Sequence, residues 1–147
     1  LQRTFALHND AYDPAKVSAV AGDLSDSHLA TQLTHKEHLA DTNLVIHAGA
    51  NTSFLKSRAT SVNATNIGGA QRISEWAASL RSLNTFVYVG TASIVGAASE
   101  VSGRIIHEDE SPDLRSEHLV GYTRSKMLAE LAVRRNIPEG KLLVTRP

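Results

Sequence analysis

Residues 43–50 read NLVIHAGA, a continuous apolar run that stops at the small residues Ala48, Gly49 and Ala50. A strand buried on both faces needs apolar side chains on both, so it reads as an unbroken run rather than an alternating one. Residues 85–89 (TFVYV), stopped by Gly90, repeat the pattern, and 141–145 (KLLVT) is a third run. A shorter one, 17–21 (VSAVA), turned by Gly22 and Asp23, is read as a further strand. Between the runs lie helical patterns: Ile67, Ile73, Trp76, Ala77 and Leu80 within 61–83, and Leu128, Leu131 and Ala132 within 121–135. Strands alternating with helices of this length predict an α/β fold with a doubly wound parallel sheet, in one domain over residues 1–147. Residues 91–120, rich in Gly, Ser, Glu and Asp, break the rhythm; long loops of this kind are commonly functional or mobile.

Composition narrows the functional classes. Fifteen basic and fifteen acidic side chains cancel, so no basic excess exists to neutralise phosphates, and neither nucleic acid nor a membrane surface is expected as a partner. The chain has no cysteine, which removes disulfides and thiolate chemistry and agrees with a reducing, cytoplasmic setting. No apolar run approaches the roughly 20 residues of a membrane helix. His28, His35 and His38 cluster, but without cysteine or a carboxylate pattern they are read as surface histidines, and no metal is expected. Two glycosylation triplets, at Asn51 and Asn63, are read as incidental.

The sharpest chemical signal is Tyr122-Thr123-Arg124-Ser125-Lys126. Residues four apart on a helix share a face, so the phenol and the ammonium can enter one pocket. A cation beside a phenol favours the phenolate and draws it toward general acid or base work. The same spacing also arises by chance on exposed helices, so neighbouring motifs have to decide.

Those neighbours are, in chain order, Gly22-Asp23-Leu24, His47-Ala48-Gly49-Ala50, Asn66-Ile67-Gly68-Gly69, residues 90–96 (GTASIVG), and the Tyr122 to Lys126 stretch with Ala129 and Glu130 behind it. Together they resemble an extended short-chain dehydrogenase/reductase, and most closely its thioester reductase and fatty acyl-CoA reductase (male-sterility-type) group. That resemblance implies a Rossmann fold that binds NADP, with NAD as the alternative cofactor. It further implies Tyr122 as proton donor, Lys126 on the nicotinamide ribose, and Thr91 as the hydroxyl facing the substrate oxygen, with Ser93 competing for that role. Gly90 stands where the family usually has Ser.

By the same resemblance, Asn66 steadies the catalytic helix, and Asp23, Leu24, Ala48, Gly49, Ala50 and Pro147 belong to the cofactor site. Asp23, the three small residues and Asn66 have plainer alternatives. Asp is favoured at helix caps, small residues make tight turns, and an Asn in a helix can simply face solvent.

The sequence holds no strand followed by GxxGxxG, and residues 1–16 contain no glycine. The expectation is therefore a partial NAD(P)-binding domain, incomplete at its N-terminus, without a C-terminal substrate portion, and inactive by itself. Three functions follow from the resemblance. The leading one is an NAD(P)H-dependent reductase of a carbonyl or acyl thioester, acting on a small-molecule or carrier-bound acyl substrate within a larger multidomain enzyme. The others are a sugar-nucleotide epimerase or dehydratase and a non-catalytic dinucleotide-binding protein.

Overall fold

The computed structural model describes residues 13–96, 105, 107 and 109–147. Its centre is a parallel sheet of β1 (Leu44–His47), β2 (Thr85–Val89) and β3 (Leu142–Thr145), in that spatial order. The helices are α1 (Leu29–Thr34), α2 (Ala59–Asn63), α3 (Gly69–Ser79) and α4 (Gly121–Asn136). The predicted runs at 43–48, 85–89 and 141–145 thus form strands, and the helical pattern at 121–135 forms α4.

Register explains the sheet's two unequal faces. Val45 pairs with Phe86 and His47 with Tyr88, while Phe86 pairs with Leu142 and Tyr88 with Val144. In a parallel ladder paired residues point the same way, so these six side chains share one face. Phe86 and Tyr88 are fully buried there, against Ala70, Trp76, Ala77, Ala129 and Val133 from α3 and α4. The alternate residues Leu44, Ile46 and Leu143 are exposed. The expected parallel sheet with flanking helices is present, and among the described residues the helices cover one face of it.

Residues 17–21 do not form the expected strand. They are exposed and carry no ladder. A strand is held by hydrogen bonds to a neighbour, and an apolar run without one gains nothing from extending. The acidic part of the 91–120 loop falls partly on residues 97–104, 106 and 108, which lie outside the described residues, as do residues 1–12.

The pattern over 61–83 resolves into two helices joined by a π-helical turn, Ala64–Gly68. Such turns add one residue to the helical cycle and re-aim a side chain. Here the turn contains Asn66. At the other end of the core, α4 stops at Asn136. Ile137 is extended (φ −103°, ψ 126°) because the following Pro138 clashes with a helical residue before it.

Candidate active site

Four segments converge at the carboxyl ends of the strands, where open α/β sheets hold their ligands. The first leaves β1 as Ala48 and Gly49, both exposed, and half-buried Ala50. A Cβ on Gly49 would lie 2.8 Å from Leu24 Cδ1, and one on Gly69 would lie 3.0 Å from Leu24 Cβ. Leu24 is therefore packed onto two glycines, which brings the Asp23 turn beside the β1 exit. Arg72, which sequence reasoning missed, secures this contact by donating from Nη2 to the Leu24 carbonyl at 2.5 Å and to the Ala64 carbonyl at 3.1 Å.

Asp23 does not cap a helix. Its Oδ1 accepts from the Ser25 backbone N–H at 2.8 Å and the Ser25 hydroxyl at 2.7 Å, and these two bonds hold its carboxyl below the usual carboxylate range. It is Asp26 whose Oδ1 meets the His28 N–H just ahead of α1.

The second segment is fixed by Asn66. This buried amide accepts from the Asn51 N–H at 2.7 Å and donates to the Asn51 carbonyl at 3.0 Å and to Ser125 Oγ at 2.9 Å. Ser125 in turn donates to the Tyr122 carbonyl at 2.7 Å. The solvent-facing alternative for Asn66 is excluded, and its contact with α4 passes through Ser125, a residue inside the quoted motif to which the sequence reading gave no role.

The third segment is the exit from β2. The β2–β3 ladder runs on past the strands, with the Gly90 N–H donating to the Thr145 carbonyl at 2.7 Å and the Ala92 N–H to the Pro147 carbonyl at 3.1 Å. Thr91 and Pro147 are therefore neighbours at this edge. Thr91 Oγ1 accepts from the Ser93 N–H at 3.3 Å, capping the short 3-10 helix Ala92–Val95, which packs against α4. Ser93 is exposed and Thr91 half-buried. Gly90 stands where space is short. A Cβ there would lie 3.1 Å from the Thr145 carbonyl and 3.5 Å from Glu130 Oε2.

The fourth segment is α4. Lys126 is buried, donates from Nζ to the Val89 carbonyl at 2.6 Å and sits 4.6 Å from the centroid of the Tyr88 ring. Burial lowers its pKa, and the Glu130 carboxylate opposes that shift. Tyr88, whose hydroxyl donates to the Lys126 carbonyl at 3.2 Å, has its pKa raised by burial, then by Glu130 and by Tyr122. His47, at the end of β1, is pushed down to about 4 by burial and by the Lys126 ammonium.

Glu130 is fully buried between Arg134 (2.9 Å) and Arg146 (2.6 Å). Arg146 also donates to the Glu110 carbonyl at 2.8 Å. It thereby ties α4, the end of β3 and the long loop together, and as an isolated arginine after a strand it carried no sequence signal.

This geometry suits a dinucleotide. Small exposed residues leave the β1 exit approachable, and Thr91 and Pro147 border the same edge. An ammonium has three donors, and among the described residues one of those on Lys126 is engaged by a hydrogen bond, leaving two for hydroxyl groups.

Comparison with known proteins agrees. The NAD-binding family described as male sterility protein matches residues 2–147, and the chain belongs to it. It is an NAD-binding domain with a Rossmann-like fold.

Its relatives are parts of very long proteins. The chain is 33% identical over 136 residues to the hybrid PKS-NRPS synthetase ucsA of Acremonium sp., covering 88% of this chain and 3% of that protein. It is 42% identical over 83 residues to the polyketide synthase-nonribosomal peptide synthetase ACE1 of Pyricularia oryzae, covering 56% of this chain and 2% of that one. Among solved structures it resembles the terminal R domain of the myxalamid PKS-NRPS pathway, with TM-score 0.74 and 26% identity over 92% of this chain and 34% of that one. WbmG of Bordetella bronchiseptica in complex with NAD shares the fold, with TM-score 0.66 and 20% identity over 91% of this chain and 39% of the other. No described helix is long and apolar enough to cross a membrane.

Proposed function

We propose that this chain carries the reductive site of a multidomain synthetase, where an acyl thioester on a carrier is released as an aldehyde, or after a second round as an alcohol, at the expense of NADPH or NADH. One observation carries the reading. Tyr122 lies one helical turn ahead of Lys126 on α4, and Lys126 is buried and bonded to the Val89 carbonyl at the carboxyl end of β2.

When bound, the reduced dinucleotide supplies a hydride to the thioester carbonyl carbon. As the C–H bond forms, the carbonyl π pair moves to oxygen, and Tyr122 donates its hydroxyl proton there. Thr91 adds a hydrogen bond to the same oxygen as charge develops on it. Lys126 uses its unengaged donors on the ribose hydroxyls and presents its charge to Tyr122. Collapse of the resulting hemithioacetal breaks the C–S bond, forming the aldehyde and leaving the carrier thiol. Asn66 and Ser125 act at one remove, since their bonds hold the main chain of α4 and of the Asn51 loop. Asp23, Ala48, Gly49 and Ala50 border the adenosine and phosphate side of the cofactor.

The test is Tyr122→Phe in the full-length polypeptide, assayed with an acyl-pantetheine thioester. It removes a proton donor needed in the transition state, so turnover is expected to fall about 10²-fold or more with cofactor affinity nearly unchanged. Turnover within a few-fold of wild type overturns the assignment. A sugar nucleotide interconverted without net consumption of reduced cofactor would support the epimerase reading instead.

A further inference from the structure

Beside Tyr122 lies a cavity of about 100 Å³, walled by the apolar Phe54, Leu55, Ala59 and Val62, by Gly121 and Tyr122, and by the polar Ser53 and Lys56. Most of the wall is apolar, yet Phe54 and Leu55 are 63% and 62% exposed and so contribute little to the core. Large apolar side chains left in solvent next to a chemically competent group commonly mark a ligand contact.

The wall is held in place rather than draped. Asn51, itself clasped by Asn66, accepts from the Ser53 N–H at 3.1 Å and donates from Nδ2 to Ser61 Oγ at 3.1 Å. The Leu55 N–H donates to Ser53 Oγ at 3.3 Å. Phe54 is therefore presented by a hydrogen-bonded loop, with its ring centroid 5.5 Å from that of Tyr122 and the planes tilted by 59°.

We infer that this cavity takes the first carbons of an apolar acyl chain, those next to the thioester carbonyl, and that Phe54 sets the preference. The inference rests on the reductase reading above and adds the class of acyl group. A carbonyl within reach of the Tyr122 hydroxyl has its chain beside the Tyr122 ring, which is the cavity wall. A space of this size suits a short stem of a few carbons. A hydroxyl placed against the Phe54, Leu55 and Val62 side of the wall would lose its water and meet apolar groups. The chemistry selected is thus a short saturated or aromatic stem.

The experiment uses the full-length polypeptide and three pantetheine thioesters, acetyl, butyryl and 3-hydroxybutyryl, followed by oxidation of NADPH and NADH. Wild type is expected to prefer butyryl over both of the others. Phe54→Ala should cut the butyryl-to-acetyl ratio of kcat/KM by roughly 10-fold, the scale of a hydrophobic pocket's discrimination, with cofactor affinity and melting temperature unchanged because Phe54 is exposed. Thioester turnover with the same butyryl-to-acetyl ratio in wild type and Phe54→Ala overturns the inference and leaves the reductase reading intact. No turnover of any thioester by wild type overturns both.

Discussion

The two faces of the sheet are built from the same strands and are treated differently. On one face Val45, His47, Phe86 and Tyr88 are buried, and α3 and α4 pack over the core they form. On the other, Leu44, Ile46 and Leu143 are 49%, 62% and 53% exposed. The sequence makes both faces apolar, as a strand covered on both sides requires, yet the candidate site draws its buried groups from the covered face alone. Lys126 is bonded to the end of β2 and lies over Tyr88, a covered-face ring that also neighbours His47. Burial on that face fixes α4 and shifts the ionisable groups beneath it.

The comparison can be broken most directly at Phe86. Truncating this fully buried ring with Phe86→Ala is expected to cost about 3–5 kcal/mol, read from urea unfolding of the 147-residue chain. A loss under about 1 kcal/mol would mean that the covered face is not a packed core.

A pH series sharpens the same face. His47 titrates near 6.5 when unfolded and is held to about 4 when folded, so the unfolded chain takes up its proton first as pH falls. Stability linked to His47 is complete above about pH 6.5 and is lost as pH drops toward 4, by an amount on the order of 3 kcal/mol. Unfolding of wild type and His47→Gln from pH 7.5 to 4.5 isolates the term. Parallel pH dependence in the two chains would show that His47 is not held neutral by its surroundings.

The smallest effect is expected on the face that the described residues leave exposed. Ile46→Thr should change stability of the 147-residue chain by no more than about 0.5 kcal/mol. A cost approaching that of Phe86→Ala would show that something outside the described residues covers Ile46.

The strands at 43–48, 85–89 and 141–145 were legible because an apolar run bounded by Gly, Asn or Pro leaves few other solutions. The run at 17–21 looked similar and failed, since a strand is a property of a pair and composition cannot supply the partner. The spacing of Tyr122 and Lys126 was legible because helical periodicity is local. What Lys126 would bond to was not, since Val89 is 37 residues away.

Asn66 shows the division within one residue. The sequence marked it through the resemblance and left a solvent-facing helix position open, while the π turn and the bonds to Asn51 and Ser125 came only with the packing of α2 and α3 against α4. Arg146 and Phe54 lay wholly on the far side of that line. An arginine after a strand and an exposed phenylalanine in a loop are unremarkable until folding sets Arg146 against Glu130 and Phe54 against Tyr122. The sequence by itself determined the order of elements, the parallel α/β class and the Tyr-Lys pair, because each depends on neighbours within a few residues. The tertiary structure alone decided which face is covered, which ionisable groups are buried and what walls the site, because those depend on residues brought together from distant parts of the chain.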